Sequence, residues 1–159
     1  KPVLPRIQTG VGTVTFAGDV TTPVTESVTG VSGTGSIGTV TASGTGTSIA
    51  ATYTVTVASY LGANKYYLDS ARQATVNLSE GSTYRFDQSD SSNSGHPLRL
   101  SATSDGTHGG GSQYTTGVST SGTPGSSGAY TQITVASGAP TLYYYCTNHS
   151  GMGGQANTP

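Results

Sequence analysis

Residues 52–59, TYTVTVAS, alternate between polar and apolar side chains at a period of two, without a break from Thr52 to Val57. Successive side chains of a strand point to opposite faces, so this pattern builds one face for a core and one for water. Further predicted strands follow in NKYYLD (64–69), ATVNLSEGSTYRFDQSD (74–90), HPLRLSA (96–102), AYTQITVA (129–136) and TLYYYC (141–146). Gly, Ser and Asp fill the joints. Thr, Val and Tyr far outnumber Leu, Glu and Lys, so the chain has little with which to build helices. The expected fold class is all-β, and six strands with turn signals between them predict a sandwich or barrel. SEG at 79–81 falls between two alternating runs and predicts a hairpin turn, with Gly81 free to take a positive φ.

Leu, Ile, Val and Phe supply only 26 of 159 residues, whereas Gly, Ser and Thr supply 74. So low an apolar share suggests disorder only when net charge is high, and here it is −1. Ten tyrosines add bulk for a core. That bulk is unevenly placed, because Phe16 is the only aromatic residue before Tyr53. Residues 1–50 are instead short Thr/Val runs broken by glycine, with GTVTFAG (12–18) loosely repeated as GTVTASG (38–44). They are either a flexible linker or, the preferred reading, a Gly/Thr/Val-rich β assembly segment. Its strands would be completed by another protein or by copies of the same chain, since strands without a core are exposed edges. Residues 51–159 are expected to form the folded domain, with 103–128 as a long surface excursion whose length leaves room for a short hairpin or a contact surface.

Six Lys and Arg residues scattered singly make no stripe for a phosphate backbone, so nucleic acid is not an expected partner. No apolar run approaches the roughly 20 residues of a membrane-spanning helix, so no membrane partner is expected either. The lone cysteine cannot form an internal disulfide.

That cysteine, Cys146, is followed at even steps of three by His149 and by Met152, the chain's only methionine. Taken singly, a lone Cys is most often a small buried hydrophobe, and a lone Met is usually core filler. Together they match a chemistry. A blue copper site takes two imidazoles and a thiolate in a trigonal plane, with a weak axial thioether. Cys146 ends a predicted strand, while His149 and Met152 lie on the glycine-rich loop after it. The second imidazole must come from elsewhere, and His96, just after a predicted strand at 83–88, is suitably placed. The candidate site is therefore one mononuclear copper on His96, Cys146, His149 and Met152. His108, in DGTHGGG, reads as a loop residue, and Asp87, Asp90 and Asp105 as turn residues, because DQSD lacks calcium-loop spacing. Asn77 and Asn148 fit the glycosylation pattern, but Asn148 lies inside the proposed ligand loop.

VNLSEGSTYRF (76–86), then HPLRL (96–100), then LYYYCTNHSGM (142–152) resembles the cupredoxin, or blue copper, pattern. The resemblance implies a Greek-key β-sandwich over about residues 52–159, with His96, Cys146 and His149 as equatorial ligands and Met152 as the axial one. Two departures stand out: the insertion at 103–128, and a chain that runs only seven residues past Met152. FDQSDSSNSGHPLRLS (86–101), SDGTHGGGSQYTTGV (104–118), GTPGSSGAYTQITV (122–135) and YYYCTNHSGMGGQ (143–155) also resemble a domain of virion structural proteins from marine tailed bacteriophages, cyanophages especially. This second likeness implies a fibre, decoration or neck-associated component on the particle exterior. Its partners would be other virion proteins or copies of itself, with a trimer expected. The alternative is a soluble, periplasmic or secreted, blue copper electron carrier. No enzyme is expected, because four protein ligands leave no open position for a substrate.

Overall fold

The computed structural model describes residues 48–158, and the expected assembly segment lies outside these except for its last three residues. Ten strands form among the described residues: β1 (Ile49–Tyr60), β2 (Ala63–Leu68), β3 (Ala71–Arg72), β4 (Val76–Asn77), β5 (Thr83–Asp87), β6 (Leu98–Ser101), β7 (Val118–Ser121), β8 (Tyr130–Thr134), β9 (Leu142–Cys146) and β10 (Gly154–Asn157). Two 3-10 turns, Ser91–Asn93 and Gly106–Gly109, are the only helical elements among the described residues. The fold is all-β, as the alternation predicts.

The strands divide into two mixed sheets. One has the order β3-β2-β1-β5-β8-β7 and the other β4-β10-β9-β6. Neighbours are antiparallel except β1 with β5 and β4 with β10, which run parallel. The alternate residues of each sheet meet in one core. Val55, Tyr66, Leu68, Phe86 and Ile133 come from the first sheet; Leu98, Leu100, Leu142, Tyr144 and Ala156 come from the second. Aromatic rings join the layers: the centroid of Phe86 lies 6.1 Å from that of Tyr144, and the Tyr66 and Tyr144 centroids are 6.4 Å apart. Each fully buried large apolar side chain is worth about 1.5–3 kcal/mol. Tyr66, Tyr84 and Tyr144 can serve here because each hydroxyl finds a partner. Tyr144 donates to the Ala74 carbonyl at 2.8 Å and Tyr66 to the His96 carbonyl at 2.7 Å, while Tyr84 accepts from the Ser79 amide at 2.9 Å.

The turn at 79–81 corrects one expectation. Gly81 does take a positive φ, +73°, but β4 and β5 are not a hairpin. β4 pairs with β10, while β5 pairs with β1 and β8, so the turn carries the chain from one sheet to the other. A glycine in the left-handed region suits either route, and distant strands decide between them. The 103–128 stretch does supply one arm of a hairpin, with β8 as the other. Val118–Ser121 adds an edge strand to the first sheet, and the 3-10 turn at Gly106–Gly109 packs against β9.

Candidate metal centre

β6 and β9 are antiparallel neighbours with Leu98 opposite Cys146 and Arg99 opposite Tyr145. The chain enters β6 through His96 and Pro97, so His96 comes to the end of β9 where Cys146 stands. From Cys146 the chain turns back through His149 and Met152 into β10, which runs antiparallel to β9. Three donor-bearing residues meet there. Sγ of Cys146 lies 3.9 Å from Nδ1 of His96 and 3.7 Å from Nδ1 of His149. The donor atoms of His96, Cys146 and His149 all fall within 4.8 Å of one another. Nitrogen and sulfur donors held at about 2.0–2.3 Å from one ion, 120° apart, stand about 3.7 Å from each other. The spacing therefore fits a shared ion.

Met152 is 1 % exposed and belongs to the core cluster. It lines, together with His149, a cleft of about 450 Å³ that opens beside the cluster. Of the four predicted ligands, the structure thus gathers three donors and puts the fourth residue at the floor of the adjoining cleft. His96 and Cys146 are buried, whereas His149 is exposed.

The surrounding groups hold His96 firmly. Its carbonyl accepts from the Tyr66 hydroxyl and, at 2.8 Å, from Nε2 of Gln88; its amide donates to the Asn93 carbonyl at 2.8 Å. Gln88 is itself buried, and its Oε1 accepts from the Leu98 amide at 3.1 Å. Burial, with the charge of His149 second, holds the His96 imidazole below its ordinary pKa and so favours the neutral, ligating form. Burial also pushes the Tyr66 phenol up, and the neighbouring Cys146 thiol adds to that shift, so Tyr66 stays a proton donor. Asn148, in the ligand loop, donates from Nδ2 to the Gly95 carbonyl at 2.9 Å and ties the two ligand segments together.

The sequence reading missed several of these supports. His108 is not a bare loop residue: its Nε2 lies 3.0 Å from the Cys146 carbonyl oxygen. Asp105 accepts at Oδ1 from the Gly151 amide at 2.8 Å. Asp87 and Asp90 do serve local turns, accepting from the Ser89 and Ser92 amides. Gln88 stood in DQSD, where only the carboxylates drew attention. Its position on the inward face of the alternating run 83–88 was the available signal.

Neither a family model nor a curated protein matches this chain.

Proposed function

We propose that this domain binds a single copper ion through His96, Cys146 and His149, with the Met152 thioether as a weak axial ligand. The observation that carries the reading is the thiol flanked by two imidazole nitrogens at 3.7 and 3.9 Å. One soft sulfur, two imidazoles and a nearby thioether are the donor set of blue copper centres. Bound copper supplies a strong cross-link between ligands and a one-electron couple. The chain supplies the rest: β6 and β9 fix His96 and Cys146 in register, and the Tyr66 and Gln88 bonds to its carbonyl keep the His96 backbone in place.

Two uses of such a site follow. As a staple, it ties the segment before β6 to the end of β9 and to the loop after it, which suits the structural role on a phage virion that the sequence resemblance implies. As an electron carrier, it would exchange electrons through the exposed His149, whose position at the cleft favours this second reading. The staple is preferred, because the donors join segments some fifty residues apart in sequence.

Titrating the reduced, metal-free chain with Cu(II) is the test. An intense visible thiolate-to-copper band at one equivalent, absent in Cys146→Ser, is expected. A wild type without the band, or a Cys146→Ser chain that keeps it, overturns the copper reading. Preference for Zn(II) over Cu(II) in competition does the same. Rapid electron self-exchange with no gain in melting temperature would favour the carrier over the staple. Sedimentation of the full-length chain addresses the virion role: defined oligomers, a trimer first, are expected, and a monomer counts against assembly.

A further inference from the structure

We infer that the loop from Thr103 to Gly111 is a clamp for the metal-binding loop, with Asp105 and His108 as its positioning residues. The inference rests on the copper reading for its spectroscopic consequence but stands on geometry of its own.

The loop leaves β6 after Ser101 and returns to it. Ser101 pairs with Gln113 in an isolated bridge, the Ser101 hydroxyl donates to the Ser112 carbonyl at 2.8 Å, and the Tyr114 amide donates to the Leu100 carbonyl at 2.7 Å. Its ends are therefore anchored on the strand that follows His96. Its middle lies on the outer face of β9, over Tyr145. A Cβ placed on Gly106, which has φ +54°, would stand 2.5 Å from three atoms of the Tyr145 ring, so only glycine allows this approach. The Tyr145 ring is fully buried, yet among the described residues its hydroxyl has no hydrogen-bond partner. Packing beneath the clamp, not polar pairing, sets its place.

From this seat two side chains reach the ligand loop at its two ends. The His108 ring stands edge-on to Tyr145, centroids 6.5 Å apart and planes at 83°. Because a carbonyl can only accept, the contact with the Cys146 oxygen requires His108 to carry its proton on Nε2. Asp105 adopts a left-handed φ of +56° at the head of the 3-10 turn but does not cap it. Its carboxylate goes instead to the amide of Gly151, 46 residues along the chain. The same glycine is held from the opposite side, where its carbonyl accepts from Nζ of Lys65 and, at 3.3 Å, from Nε2 of Gln73. Cys146 and Gly151 bracket His149. Fixing both therefore limits where the His149 imidazole can go. Groups that orient metal ligands in this way typically change metal affinity by about 10- to 100-fold when removed.

The test uses the full-length chain and four variants. His108→Phe keeps a ring against Tyr145 but removes the donor, and His108→Gln restores one. Asp105→Ala removes the acceptor, and Asp105→Asn restores one on a residue that tolerates the left-handed region. Cu(II) affinity, the visible charge-transfer band and amide exchange of the metal-free loop are read together. His108→Phe and Asp105→Ala are expected to weaken Cu(II) about tenfold or more and to alter the band. They are also expected to speed exchange at residues 147–152, while Asp105→Asn stays near wild type. Folded His108→Phe and Asp105→Ala chains with unchanged affinity, band and exchange overturn the clamp. If the wild type takes no copper, the copper reading fails and exchange in the metal-free loop alone decides: faster exchange upholds the clamp, unchanged exchange overturns it. If Asp105→Ala does not fold, the same readouts on His108→Phe decide.

Discussion

Leu98 stands opposite Cys146 in the β6–β9 ladder, and this one register brings His96, fifty residues earlier in the chain, to the thiol. A strand shifted by one residue turns every side chain to the other face. Leu98, Leu100, Leu142, Tyr144 and Cys146 all belong to the buried cluster, so the apolar core holds the register and the register builds the site.

Met152 tests whether the thioether is a ligand or only core. Met152→Ala removes a side chain that is 1 % exposed and is expected to cost about 2–5 kcal/mol in the metal-free chain. Met152→Leu nearly conserves volume and is expected to cost less than about 1.5 kcal/mol. The two roles separate in the Leu variant: its urea midpoint stays close to wild type while its copper spectrum and reduction potential move. An unchanged spectrum and potential in Met152→Leu would leave Met152 a core residue alone.

Gln88 joins β5 to the start of β6 through two bonds that no apolar residue replaces, one to the His96 carbonyl and one from the Leu98 amide. Gln88→Ala leaves the Leu98 amide without its side-chain acceptor and the His96 carbonyl with one donor fewer. A buried group left unpaired costs about 1–3 kcal/mol, and that loss of stability is expected in chemical denaturation. Copper affinity is expected to fall as well, since the His96 backbone is then held by fewer bonds. Wild-type stability in Gln88→Ala would show that water or a local shift repairs the gap.

The strands around this site were legible because their composition is local, and so was the spacing of Cys146, His149 and Met152; His96 lies fifty residues away, and its meeting with Cys146 and His149 depends on the β6–β9 register. What escaped the sequence depends on pairing at a distance. β10 is an example. Few residues follow Met152, yet Gly154–Asn157 forms a strand because Gly153 and Gly154 let the backbone press against Tyr144, where any Cβ would collide. His108 is another: Thr107 and a run of glycines flank it in sequence, and the carbonyl it meets lies 38 residues away. The 79–81 turn misled for the same reason, since Gly81 fits a hairpin as well as the crossover that β1 and β10 impose.

Acid is expected to weaken the metal-free fold through His96. Burial, with His149 second, depresses its pKa below the ordinary 6.5, so the unfolded chain takes up a proton at a pH where the folded chain does not. Stability rises with pH wherever the unfolded state binds more protons. The contribution is therefore fully present above pH 6.5 and declines as pH falls below it, until folded His96 also titrates. Denaturant midpoints of the metal-free protein from about pH 8 to pH 5 check this against His96→Gln, which is expected to flatten that part of the curve. Equal slopes in both chains would place the pH dependence on other groups.

Metal removal gives the most direct reading of the staple. Copper that binds only the folded state adds RT ln(1 + [L]/Kd), about 4 kcal/mol when free metal stands a thousandfold above Kd. The gain is expected to be concentrated, because His149 lies on the loop that follows Cys146, already held at Gly151 by Asp105, Lys65 and Gln73. Residues 147–150 have fewer such ties: the Thr147 amide reaches the Pro97 carbonyl at 3.1 Å, and the Asn148 side chain reaches Gly95. Chelation is thus expected to accelerate amide exchange most at 147–150, less at Gly151, and little in β1 or β5. The melting temperature falls in the same experiment. Equal exchange across 147–150 with and without copper would mean that the hydrogen bonds alone hold this loop, and the staple reading would then give way to the electron carrier.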